Sequence, residues 1–513
     1  MRFNFFTRPA DSGATATVNH EGAAAVTMPP EVALYAAVAT TFLTTGFYEK
    51  DTTRLTRIRA LIQECDPLFV ARLAVYAREK LYLRSVPLVL VVELARLAAG
   101  SSLVRRTVVR VVQRPDEITE LLALYAQANG RATNRKALGQ LSKQVQKGLA
   151  EVFTRFDAYQ LAKYDRAGAV RLRDALFLTH AKGRTEAQQT VFDQLVRGEL
   201  PVPNTWETRL SVLGQQAFAD ASAKTAAFRA AWENLVAGGQ LGYMALLRNL
   251  RNLVQAGVSA ETIGRVAARL ADSDQVARAR QLPFRFLSAY REIQVLTNPD
   301  VPTLLDALET AAQLSVAHVA GFGPETRVVL ACDVSGSMKC AIAPRSVVER
   351  YDIGLLLAML LQTRCARVTT GVFGDTWKRI SLPRPGVLAN VLALQALANE
   401  VGYSTNGHKV VEDLLLRREV ADKVILFTDC QLWDSTQAGN QPLGRLWAEY
   451  RRKVAPTARL YLFDLAGLGT TPVQVDESRG VAVVAGWSNR VFDVLTALED
   501  GRSAVDFIHQ MEL

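Results

Sequence analysis

The chain has 513 residues, of which 49% are hydrophobic and 21% charged, an ordinary globular composition at a length that calls for two or three domains. Charge interrupts its apolar stretches, as Glu93 and Arg96 interrupt "VPLVLVVELARLAAG", so none is the run of about 20 apolar residues that a membrane helix needs. The first residues lack the apolar core of a secretory signal, and a cytoplasmic protein with no membrane partner is expected.

Residues 1–320 read as helices almost throughout. In "DPLFVARLAVYAREK", Phe69, Leu73 and Tyr76 fall at helical spacing, Arg72 and Arg78 lie off that face, and Pro67 suits a first helical turn. "RPDEITELLALYAQ" repeats the device with acidic residues in its first turn. "VPLVLVVELARLAAG" is apolar nearly all round, as a helix packed on both sides would be. Such short helices, recurring every few tens of residues, predict stacked helical pairs in the manner of HEAT repeats. Trp206 and Trp232, each followed by Glu, are expected in the core.

The style changes near "AHVAGFGPETR", where Gly321, Gly323 and Pro324 break the helix. Over 321–513, the short apolar runs "RVVLACD", "ARVTTGVFGD", "KVILFTD", "ARLYLFDL" and "VAVVAG" alternate with helical segments. That alternation predicts an α/β doubly wound parallel sheet, whose ligands sit outside the carboxyl ends of the strands. The fold class is therefore stacked, HEAT-like helical pairs over 1–320, followed by an α/β, Rossmann-like domain over 321–513.

Charge separates the two parts. Of the 60 Lys and Arg, 39 fall in residues 1–320, against 29 of the 50 Asp and Glu; the remaining 21 of each sign balance over 321–513. A basic excess confined to one domain points to a polyanion. Arg106, Arg110 and Arg114 are spaced by four, so they share one helix face, while Val104, Val108 and Val111 face elsewhere. Lys136, Lys143 and Lys147 form a similar side. In "LAKYDRAGAVRLRDALFLTHAK", Arg166, Arg173 and Lys182 suit phosphates, and His180 suits stacking or hydrogen bonding. Arg248 and Arg251 lie three apart on a further helix, and the neighbouring Asn249 and Asn252 read as packing residues.

In the second part, "DVSGSM" follows the first strand. Asp333, Ser335 and Ser337 alternate, Asp429 ends "KVILFTD", and Thr405 lies in the loop "GYSTNG". Two carboxylates and three hydroxyls form an all-oxygen set that suits a hard cation, Mg²⁺ or Mn²⁺. The five cysteines have no CxxC pair, and the histidines His20, His180, His318, His408 and His509 are scattered. No nucleophile–base spacing and no GxxxxGK[ST] loop is legible, which predicts a protein that is not an enzyme.

The Asp-x-Ser-Gly-Ser run, the loop Thr and the strand-end Asp resemble the metal-ion-dependent adhesion site of von Willebrand factor A domains. That resemblance implies Asp333, Ser335, Ser337, Thr405 and Asp429 as ligands, some through water. "FLTTGFYEKDTTRLTRI", "FVARLAVYAREKLYLRSVP", "ALLRNLRNL" and "LPFRFLSAY" resemble the TROVE module of the Ro autoantigen family, whose architecture is a helical-repeat ring followed by an A domain. The resemblance implies an RNA-binding protein, monomeric within a ribonucleoprotein. It would hold small non-coding Y RNA on the outside of the ring and the single-stranded ends of misfolded or precursor RNA in its hole, and it would act with an exoribonuclease. Lys163 and His180 match family positions that bind RNA, Arg173 matches a basic position, and Arg166 falls one position from one. The rival readings are a metal-dependent protein scaffold without RNA, and a phosphoryl hydrolase with Asp333 as nucleophile. Against the second, Ser335 stands where that chemistry usually has a second Asp.

Overall fold

The computed structural model describes residues 15–41, 51–130, 141–319, 321–343, 346–383, 385–435 and 442–513. Helices dominate as far as Leu314. Helix Pro67–Glu79 begins where Asp66 accepts the Leu68 N–H and Pro67 takes the first turn. Phe69, Leu73 and Tyr76 are buried as their spacing predicts. Arg78, expected off that face, is buried as well: its Nη2 donates to Glu117 at 2.8 Å and its Nε to the Val111 carbonyl at 3.0 Å. The pairing makes that burial tolerable. Helix Ser85–Leu97 is covered on all sides through Ala95, with Glu93 held by Arg59 and Arg96 at 2.8 and 2.7 Å. Helices then pack in neighbouring pairs, from Pro67–Glu79 on Ser85–Leu97 to Phe284–Gln294 on Val301–Leu314.

The C-terminal domain is a six-stranded sheet. Its strands are β3 (Arg327–Asp333), β4 (Arg367–Phe373), β5 (Trp377–Ile380), β6 (Lys423–Thr428), β7 (Arg459–Asp464) and β9 (Val481–Ala485), in the order β5-β4-β3-β6-β7-β9. All neighbours are parallel except β4 and β5. The chain leaves β3 toward β4 on one side and returns to β6 on the other, so the switch point lies between β3 and β6, where an open sheet has its ligand crevice. β5, "WKRI", escapes a reading based on apolar runs because it is a short, half-exposed edge strand with two adjacent cations. Helix Arg350–Gln362 is buried along its whole length because it lies between the sheet and the helical array.

The first described residues do not join the repeats. β1 (Ala16–Val18) and β2 (Ala24–Thr27) form a hairpin, and β2 pairs antiparallel with β8 (Thr470–Thr471) of the C-terminal domain. Helix Pro30–Ala39 packs on β9, and helix Ala504–His509 packs on Pro67–Glu79. At the other end of the array, Glu309 accepts the N–H groups of Val387, Leu388 and Ala389 at 2.7–3.0 Å. A carboxylate there matches the positive end of helix Leu388–Ala396. One domain thus holds both the first and the last helices of the array and closes it into a ring.

Candidate metal centre and nucleic-acid interface

Three loops meet beyond β3 and β6. After Asp333 the chain turns sharply into the short 3₁₀ segment Gly336–Met338. Asp333 Oδ1 accepts the Ser335 N–H at 2.9 Å, and its Oδ2 accepts the Thr428 hydroxyl at 2.7 Å. Ser335 Oγ and Ser337 Oγ lie 3.3 Å apart. The second loop is fixed from three sides: Gly336 N–H donates to the Tyr403 carbonyl at 3.0 Å, Asn406 N–H to that of Gly374 at 3.0 Å, and Trp433 N–H to that of Thr405 at 3.2 Å. In the third, Asp429 Oδ1 accepts the Gln431 N–H at 3.0 Å. Cys430, between them, holds a left-handed φ of 62°, a strain of the kind that persists at functional loops.

Asp333, Ser335, Ser337, Thr405 and Asp429 are each no more than 4% exposed. Thr405 Oγ1 and Asp429 Oδ2 are buried with no hydrogen-bond partner among the described residues, a costly condition for a polar atom with no further ligand. Burial, and then the neighbouring Asp429 charge, push the Asp333 carboxyl up to about 7. This is the behaviour of two carboxylates sharing a dry site without a counter-charge. Among the described residues no cluster of three or more His, Cys, Asp or Glu is placed to bind a metal; what the three loops bring together is two carboxylates and three hydroxyls.

The basic stretch lies on two short helices, Ala158–Tyr164 and Leu172–Thr179. Lys163 Nζ sits 5.8 Å from the centre of the Tyr159 ring and 5.7 Å from that of Tyr164. His180 ends the second helix in a left-handed turn, φ 52°, and is exposed, as are Arg166, Arg173 and Lys182. Arg173 is only 4.0 Å from Asp174, at an exposed site. Arg106 is exposed on helix Ser102–Val111. Lys136 lies outside the described residues.

Family comparison agrees with this architecture. The TROVE domain model matches residues 39–198 and 196–301, and the Ro60 von Willebrand A domain model matches 327–498. The chain belongs to the TROVE-domain family of Ro proteins. It is 26% identical over 400 residues to the RNA-binding protein RO60 of Deinococcus radiodurans, covering 71% of this chain and 73% of that one. It is also 25% identical over 331 residues to telomerase protein component 1 of Mus musculus, a match spanning 48% of this chain but 12% of the mouse protein. The crystal structure of the Deinococcus radiodurans RO protein superposes with a TM-score of 0.57 at 21% identity, over 90% of this chain and 98% of that one; it shares the fold.

In this Ro chain several side chains depart from the sequence-based expectation. Arg110 is not part of a free basic row. Its guanidinium makes a two-fold pair with Glu79, 2.7 Å at each contact, and donates to the Glu512 carbonyl at 3.1 Å. Arg114 pairs with Asp116 at 2.8 Å and lies over the Tyr164 ring at 4.5 Å. Trp232 is core, whereas Trp206 is half-buried and stacks on it, centroids 6.0 Å apart. Arg248 and Arg251 sit on successive short helices, Tyr243–Arg248 and Leu250–Ala256, separated by the buried Asn249. Asn249 donates to the Ala245 carbonyl at 2.8 Å, a packing role. Sequence reasoning also passed over Asp464. This third strand-end aspartate is fully buried, and its carboxyl is pushed up to about 6, mainly by burial. The signal was present, since "YLFDL" ends a strand as "VLACD" and "ILFTD" do.

Proposed function

We propose that this Ro-family chain is a non-catalytic, cytoplasmic RNA-binding protein. Small non-coding Y RNA binds the outer face of the ring, and the single-stranded ends of misfolded or precursor RNA enter its hole, in a quality-control pathway shared with an exoribonuclease. The observation that carries the reading is the TROVE match across 39–301, which spans the exposed cations Arg166, Arg173 and Lys182 and the exposed His180. The relative from Deinococcus radiodurans, named an RNA-binding protein, supports it. Lys163, Arg166, Arg173, His180, Lys182 and Arg106 hold phosphates and unstacked bases, and affinity is salt-dependent. A scaffold without RNA leaves that basic stretch without a role.

Asp333, Ser335, Ser337, Thr405 and Asp429 would hold Mg²⁺ or Mn²⁺, and the two buried oxygens, on Thr405 and Asp429, that have no partner among the described residues support this. Bound there, such a cation supplies an electrophilic position that a carboxylate of a protein partner can occupy. Purification from cells, followed by the absorbance ratio and sequencing of bound nucleic acid, tests the main reading. Recurrent small RNA is expected; a preparation free of RNA that also fails to bind it afterwards refutes the reading.

A further inference from the structure

A cavity of about 350 Å³ lies where the two TROVE-matched segments meet. Its walls come from both: Tyr159 and Lys163 from the first segment, and Asn204, Trp206, Gln240 and Gln281 from the second. That volume is at the small end of ligand pockets, roughly 300–1,000 Å³, and suits a single ring system.

The chemistry of the wall is specific. Trp206 has one face covered by Trp232, 6.0 Å away and nearly parallel at 28°, so its plane is held rigidly while it remains half-buried. Tyr159 is 48% exposed, large for an aromatic ring with no solvent-facing function. Three side-chain amides complete the wall, and their neighbours assign their free ends. Asn204 Oδ1 accepts from Arg209 Nε at 2.8 Å, which leaves its NH₂ group to donate. Gln281 Nε2 donates to the Ala279 carbonyl at 2.7 Å, which leaves Oε1 to accept. Among the described residues the Gln240 side chain makes no hydrogen bond, so it can do either. A donor, an acceptor and an adaptable amide beside aromatic surfaces match the edge and face of a nucleobase. Glu207, also on the wall, disfavours a phosphate inside. Lys163, which makes no ion pair among the described residues, supplies the cation for a phosphate alongside.

We propose that this cavity holds one unstacked nucleobase of a single-stranded RNA, with its face on Trp206 and Tyr159, its edge on the three amides, and its flanking phosphate on Lys163. The inference rests on the RNA reading above and names a site for it. The pocket spans the joint between the two halves of the helical array, so an occupied pocket ties them together.

The test is fluorescence anisotropy of the full chain with labelled RNA dodecamers of U, A or C, over a salt series. Trp206→Ala should weaken binding by roughly 5- to 140-fold without changing the salt slope, and Trp206→Phe should restore most of it. Tyr159→Ala, at an exposed position with little part in folding, should act in the same direction. Asn204→Ala with Gln240→Ala should narrow the differences among the three RNAs. Lys163→Ala should reduce the salt slope by about 0.7. Wild-type affinity in both Trp206→Ala and Tyr159→Ala overturns the pocket and leaves the RNA reading standing. A wild-type chain that binds none of the three RNAs overturns both.

Discussion

Arg291, on the last pair of ring helices, grips Asp352 of the C-terminal domain with two hydrogen bonds of 2.6 Å, at side chains 11% and 0% exposed. The Asp352 carboxylate also accepts the Glu349 N–H at 2.8 Å, capping its own helix. Arg291 reaches Gln395 at 2.9 Å as well. One ion pair thus joins ring, sheet domain and helix terminus. Removing Arg291 leaves a buried carboxylate with half its partners. Arg291→Ala should lower stability by about 3–5 kcal/mol, read by urea unfolding. A loss under 1 kcal/mol would show that the carboxylate finds another partner.

The metal reading predicts stabilisation by mass action. With Mg²⁺ at a hundredfold excess over its dissociation constant, thermal unfolding should gain about 2.7 kcal/mol over chelator. Asp333→Ala should abolish the gain, and Ser335→Ala should reduce it less, since a neutral ligand is lost. Equal magnesium shifts in wild type and Asp333→Ala would reduce "DVSGSM" to a turn.

The same site predicts a pH dependence in chelator. Asp333, at about 7 in the folded chain, titrates near 3.9 when unfolded. Between those values the folded state holds more protons, so this group's contribution falls as pH rises through that window and is lost above it. Asp333→Asn keeps the shape and removes the titration. The stability of wild type relative to Asp333→Asn should therefore drop as pH rises from about 4 to about 7, and Mg²⁺ should suppress the drop. A flat difference would mean that Asp333 is ionised without penalty.

On the ring, Lys163→Glu and Arg173→Glu should each weaken small-RNA binding and flatten its dependence on salt by about 0.7 per lost phosphate contact. Unfolding should change little, because neither side chain carries a short ion pair among the described residues. Affinity unchanged across the salt series would remove this face from the interface.

Arg110 makes the contrasting case. Its pair with Glu79 is about one-third exposed, so Arg110→Ala should cost about 1 kcal/mol or less and loosen the C-terminal residues that it holds. The salt slope of RNA binding should stay as in wild type. A slope reduced as in Lys163→Glu would return Arg110 to the RNA face.

Much of this architecture was legible in the chain itself. Buried strands announce themselves as short Val- and Leu-rich runs because both faces of a parallel sheet are covered, and "RVVLACD" and "KVILFTD" became β3 and β6. The oxygen set was legible for the same local reason: alternate residues after a strand end can turn to one side of a loop. Periodicity, however, reports only which face of an element is apolar, not what that face or its opposite meets. Arg78 and Arg110 look alike as arginines in helical sequence. One is buried on Glu117, 39 residues away, and the other meets the Glu512 carbonyl, 402 residues away. Trp206 and Trp232 share a sequence context, yet only one is core, because the second lies beneath the first. The joining of β2 to β8 sets Val26 opposite Thr471 and Thr27 opposite Thr470, from the two ends of the chain, and backbone pairing carries no side-chain signature. Local residue chemistry settled the elements and the run of oxygen-bearing residues at the strand ends. Long-range packing decided which charges are matched, which aromatic ring faces a cavity, and how the ring is closed.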